Sequence, residues 1–124
     1  MSTKIHDLAT HAALGVSVAP GNYTADATGD AVDLLAADGN AFAVLVVGQL
    51  NGDSAFTAAL EESSDLTTWA AVPDVTFPTV GEENTAVSRT FTRTARYVRA
   101  NVTVSGDDSD GNVCVLVGGQ KKMV

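Results

Sequence analysis

The sequence predicts an all-β protein: a β-sandwich, jelly-roll-like, with an extended N-terminal arm. Three observations carry that expectation. Short apolar or alternating runs recur along the chain, clusters of turn-forming residues separate them, and no long window sustains a three-to-four-residue apolar period. Alanine, valine and threonine are abundant and glycine occurs 11 times. Eight candidate strands at this spacing suit a small jelly roll or a related sandwich.

The first segment reads differently from the rest. STKIHDLATHAALG has the residues for one or two helical turns, with Ile5, Leu8 and Ala12 on one side, and GNYTADATGD is small, polar and without a core pattern. Two readings stand: residues 1–28 form an arm that orders against a neighbour, or they hold a first strand, Leu14–Ala19, behind a frayed leader. The organisation expected is an arm over 1–28, a sandwich over 29–120 and a tail over 121–124.

Further strands are expected at Ala31–Ala36, Ala41–Leu50, Ala55–Ser63, Thr68–Val72, Thr85–Thr94, Tyr97–Ser105 and Asn112–Gly118. PGN, ADGN, NGD, SSD, VGEEN and SGDDSDGN divide them, each with residues that accept positive φ or close Asx turns. In Tyr97–Ser105 the residues Val98, Ala100, Val102 and Val104 alternate with Tyr97, Arg99, Asn101 and Thr103. In Ala55–Glu62, Phe56, Ala58 and Leu60 share one face. Ala41–Val47 and Val113–Val117 are apolar on both faces, as in central strands covered twice or packed against another subunit.

A chain of 124 residues makes one domain and buries a core without disulfides or metal. Its one cysteine, Cys114, sits in VCVLV, where a thiol acts as a small hydrophobe. No secretory leader is visible, and the longest apolar run, AFAVLVVGQL, is too short to span a bilayer. The formal net charge of -8 argues against nucleic acid as the partner, because phosphate binding needs a broad excess of Lys and Arg.

Patterns for chemistry fail one by one. His6 and His11 lack further ligands at a fixed spacing, and no nucleophile elbow, Walker loop or dinucleotide fingerprint is present. Asp107, Asp108, Asp110 and Asn112 resemble a calcium loop, but the sixth and twelfth places counted from Asp108 hold Val113 and Gly119. Glu61 and Glu62 point to opposite faces of a strand and cannot share a cleft; with Asp65 they read as solvated charge at a strand end. Trp69, Tyr97, Tyr23 and Phe91 would supply a sugar-stacking platform, although Trp69 fits better as a cap on one end of the sandwich. No enzyme, cofactor or metal is expected.

All four arginines fall in RTFTRTARYVRA, residues 89–100. Arg89 and Arg93 share a strand face, Arg96 sits at a bend, and Arg99 emerges on the next strand beside Tyr97. They suit a partner's acidic surface, or cross-strand pairs with Glu61 or Glu62 worth under roughly 1 kcal/mol each. Arginine rather than lysine favours protein contact, through its planar fork.

The segments FTAALEESSDLTTWAAVPDV (56–75) and FTRTARYVRANVTVSG (91–106) resemble small tailed-phage virion proteins of the head decoration, or capsid cement, type. That resemblance covers about residues 40 to 118. It implies a structural virion protein, made in the host cytoplasm, that binds the major capsid protein on the outer shell surface. Self-association is expected too, as a trimer before a dimer, with no nucleic acid and no membrane. Arg89, Arg93, Arg96, Arg99 and Tyr97, with Ile5 and Leu8 of the arm, are the expected contact residues. A carbohydrate-binding module and a head–tail connector or tail-tube component are the alternatives.

Overall fold

Period-two apolar patterning leaves one face of a strand in need of cover, and here two antiparallel sheets cover each other. The computed structural model describes residues 11–73, 75–106 and 110–121. Its strands are β1 (Ala12–Tyr23), β2 (Ala27–Thr28), β3 (Val32–Asp33), β4 (Ala37–Asn51), β5 (Ala55–Ser63), β6 (Ala70–Ala71), β7 (Thr85–Thr92), β8 (Tyr97–Ser105) and β9 (Asp110–Lys121). Sheet A has the order β1-β9-β4-β7, and sheet B the order β2-β8-β5-β6 with β3 also on β8. The pairing is nested: β1 with β9, β2 and β3 with β8, β4 with β7, β5 with β6.

The expected alternation appears as the core. Ala41, Ala43, Leu45 and Val47 of β4 and Val113, Val115 and Val117 of β9 are buried against Phe56, Ala58 and Leu60 of β5 and Val98, Ala100 and Val102 of β8. Most inward positions on β4, β8 and β9 are valine or alanine, so the few larger side chains do most of the filling. Phe56, Leu34 and Leu45 are fully buried. Each such side chain gains about 1.5–3 kcal/mol from leaving water.

Two expected strands keep their bounds, Ala55–Ser63 and Tyr97–Ser105. Two shrink to two residues each. The stretch expected at Ala31–Ala36 turns after Asp33, because Leu34 N–H donates to Arg96 O and Ala37 N–H donates to Leu34 O, closing a turn. That expected at Thr68–Val72 is shortened because Asp65 accepts backbone N–H groups from Thr67 and Thr68, which keeps the segment off the ladder until Ala70. The strand expected to reach Thr94 ends at Thr92. Gly52 and Gly106 take positive φ (63° and 111°) in the turns expected at NGD and SGDDSDGN.

The arm over 1–28 is corrected from residue 12 onward. β1 pairs along β9 from Ala12↔Gln120 to Tyr23↔Gly111 and is a full member of sheet A, as the alternative reading had it. The sandwich therefore begins at Ala12 and runs to Lys121, not from 29 to 120. Ile5, Leu8 and His6 lie outside the described residues, as does most of the expected tail.

A single buried serine ties β1 to the second sheet. The β1–β9 register shifts between Val16 and Val18, and Ser17 at that bulge is only 2% exposed. Its hydroxyl donates to Asp30 O (2.8 Å) and accepts from Ala100 N–H of β8 (2.8 Å). Gly29 N–H donates to Ala100 O and Asp30 N–H to Ser17 O, both at 2.7 Å. Ser17→Ala strands the Ala100 N–H in the interior, and we expect a loss of about 1–3 kcal/mol in urea unfolding. Unchanged stability would show that another acceptor reaches Ala100.

Candidate interaction face

The sequence directs attention to the arginines, and the structure places each against its own chain. Arg96 and Asp33 form a two-pronged pair, Nε to Oδ1 at 3.0 Å and the second prong at 2.8 Å, with the guanidinium 5.0 Å from the Tyr97 ring centre. Arg99 Nε donates to Glu61 Oε1 at 2.9 Å, and its guanidinium lies 4.0 Å from the centre of Trp69. The Glu61–Arg99 pairing is a direct register pair of β5 and β8. Arg89 Nε donates to Thr76 O (3.0 Å) and packs over Phe77, bridging the edge of β7 to the loop that follows β6. Arg93 donates to Ala37 O (2.8 Å) and Ala95 O (3.2 Å). Of the two expected uses of these arginines, internal balancing is the one these contacts serve. Asp33 was absent from that expectation, since nothing in the local sequence brings residues 33 and 96 together; β3–β8 pairing does.

The carboxylates divide as strand alternation requires. Glu61 faces outward and also accepts from Asn101 Nδ2 at 2.7 Å. That bond, and secondarily the Arg99 fork, holds its carboxyl below the ordinary range. Glu62 corrects the expectation of a solvated strand end, for it is 8% exposed. It accepts from Thr94 N–H (2.9 Å), Ala95 N–H (3.1 Å) and Thr94 Oγ1 (2.7 Å), which draws the β7–β8 turn over the end of the core. Asp65, at the head of its turn, accepts from Thr68 and Thr67 N–H and from the Ser63 hydroxyl, and these bonds keep its carboxyl low.

The aromatics are similarly distributed. Phe91 is buried, and Tyr23 donates its hydroxyl to Ala19 O at 2.6 Å. Trp69 and Tyr97 each have a guanidinium over a ring face, that of Arg99 over Trp69 and that of Arg96 over Tyr97. Among the described residues no three His, Cys, Asp or Glu side chains come together as a metal set; residues 107–109 of the acidic loop lie outside them.

A second surface is the outer side of sheet A. Register puts three rows across it: Leu14–Gly118–Phe42–Thr90, Val16–Leu116–Val44–Ser88, and Cys114–Val46–Ala86. Ala12, Gln120, Asn40 and Thr92 close one end, Gly48 and Asn112 the other. None of these positions carries a charge, although the chain has fifteen acidic and seven basic residues; Asp38 of β4 and Asp110 of β9 follow beyond the two ends on the same strand parity. Leu14 is 60% and Val16 48% exposed, while Phe42, Val44, Val46, Cys114 and Leu116 are half-buried by one another. Gly118 makes the face flat: a Cβ there would stand 2.7 Å from the Phe42 ring and 3.1 Å from Leu14. Burial among these neighbours pushes the Cys114 thiol up. This is the surface that the doubly apolar runs 41–47 and 113–117 point to.

Two measurements check the polar framework. The Arg96 fork, with the Leu35 N–H, lowers the Asp33 carboxyl from 3.8 to about 2. The folded state favours its charged form, so the contribution is complete above 3.8 and is lost as pH falls through about 2. In Arg96→Ala, carboxyl NMR titration should find the Asp33 midpoint moved up toward its ordinary value; an unmoved midpoint would refute the pairing. Glu62→Ala leaves the Thr94 and Ala95 N–H groups without their acceptor and should cost about 1–3 kcal/mol in chemical unfolding, whereas Glu62→Gln, which keeps an acceptor oxygen, should cost less. Equal losses in the two variants would mean that charge, not hydrogen bonding, is what the turn needs.

No protein-family profile matches this chain, and no curated protein matches it.

Proposed function

We propose that this chain is a structural virion protein of the capsid decoration type, which seats on the outer surface of a phage head and stabilises the shell without catalysing a reaction. The observation that carries the proposal is the uncharged outer face of sheet A. A chain with 22 charged residues that keeps the three central rows of a four-stranded sheet face free of charge has a surface suited to protein contact. The acidic remainder discourages adhesion to nucleic acid, which suits a protein made in a cytoplasm filled with viral genomes.

Two further features support it. The nested strand pairing fits a jelly roll, an architecture recurrent in capsid proteins. The two segments that resemble decoration proteins are not scattered, for they contribute β5 and β8, which pair along their whole length. In this reading the arginines hold the sandwich together, and the outer face of sheet A, made of backbone, small polar and apolar side chains, is an assembly surface.

A carbohydrate-binding module is the second reading, favoured by Trp69 and Tyr97, each half-buried under a guanidinium, Arg99 and Arg96 respectively. It requires glycan-array binding that Trp69→Ala abolishes. A connector or tail-tube role requires rings of six or twelve copies. For the leading proposal the decisive measurement is mass spectrometry of purified virions, with cryo-electron microscopy to locate the chain. We expect it on the outside of mature heads; its absence from mature particles would remove the proposal.

A further inference from the structure

We propose that the outer face of sheet A joins two copies of this chain, face to face about a two-fold axis. This rests on the reading above that the face is an assembly surface, and it names the partner. A dimer replaces the trimer preferred from sequence, because the exposed surface is a flat sheet face. An isologous contact needs a patch that complements itself, and sheets stack in that way about 10 Å apart.

Charge selects the partner and the surface together. Two copies each of formal net charge -8 repel wherever their acidic surfaces approach, and the three central rows of this face hold no charged side chain, its carboxylates, Asp38 of β4 and Asp110 of β9, standing only beyond its two ends. Shape agrees with charge. Phe42 and Leu14 close over Gly118, which leaves the face flat enough for a second sheet to stack on it.

Area is sufficient. Four strands spaced about 4.8 Å apart make the face about 19 Å wide, and the outward positions 40 to 48 of β4 run about 27 Å along it. Each copy therefore contributes on the order of 500 Å², or about 1,000 Å² in all, the lower limit for a specific interface. Cys114, half-exposed within the face, is a built-in reporter of its coverage.

Sedimentation equilibrium from about 1 to 200 µM, with iodoacetamide alkylation of Cys114 followed by mass spectrometry, tests the proposal. The expected result is a 12.7 kDa monomer converting to a species of twice that mass, with alkylation slowing as concentration rises. Val16→Lys, a change at a position already 48% exposed, should raise the dissociation midpoint at least tenfold and make alkylation independent of concentration. Leu116→Lys should do the same, and circular dichroism establishes that each variant is folded. Leu35→Lys, 52% exposed in the turn before β4 and away from this face, should leave the midpoint unchanged.

A monomer at every concentration with constant alkylation would overturn the pairing, as would a trimer or a dimer indifferent to both sheet-A substitutions. The virion assay separates this from the preceding proposal. Recovery of a strictly monomeric chain from particles would reject the pairing alone, and a solution dimer that never enters particles would uphold it while rejecting the virion role.

Discussion

The structure depends on the insertion of β9 between β1 and β4. The last strand of the chain occupies an interior place in sheet A and supplies hydrogen bonds on both its sides, to Ala12–Tyr23 and to Ala37–Asn51. Without it β1 has no sheet, β4 loses one edge, and Val113, Val115 and Val117 leave the core open. Contacts of such sequence separation cost loop entropy before they return any energy. Sheet B is wired more locally through β5 and β8, and the Ser17 bulge then locks the two sheets together with hydrogen bonds that neither sheet makes alone.

That central position also explains the two characters of sheet A. β4 and β9 lie side by side, so their doubly apolar sequences double the width of the apolar outer face instead of scattering it. Gly118 permits Phe42 and Leu14 to close over the strand, and flatness follows from the absence of one Cβ. The outer side of sheet B is of the opposite kind: Glu61, Arg99, Asn101 and Trp69 engage one another there. One sandwich thus has a polar side whose groups engage one another and a side whose central rows are uncharged.

The arginine-rich stretch acquires a different meaning in three dimensions. Its four side chains serve four distant places: Asp33, Glu61, Thr76 O and Ala37 O. Exposed pairs of this type contribute little each, under about 1 kcal/mol. Their effect is on register and loop position, through planar forks that accept only one geometry. Glu62 does the corresponding work from the carboxylate side by holding the Thr94–Ala95 turn.

By itself the sequence determined the all-β class, most strand positions, the bounds of β5 and β8, and the opposed faces of Glu61 and Glu62, because period-two patterning and turn chemistry are local. It also marked 41–47 and 113–117 as apolar on both faces. The membership of β1 was left open between an arm and a first strand, since GVSVAPGNY has little apolar pattern and is held by backbone pairing and by Ser17. Tertiary structure alone decided that the two doubly apolar runs are neighbours, that Glu62 is buried, and that Asp33 meets Arg96. Each of those results depends on strand order, which is set by contacts between residues tens of positions apart and leaves no periodic trace in the chain.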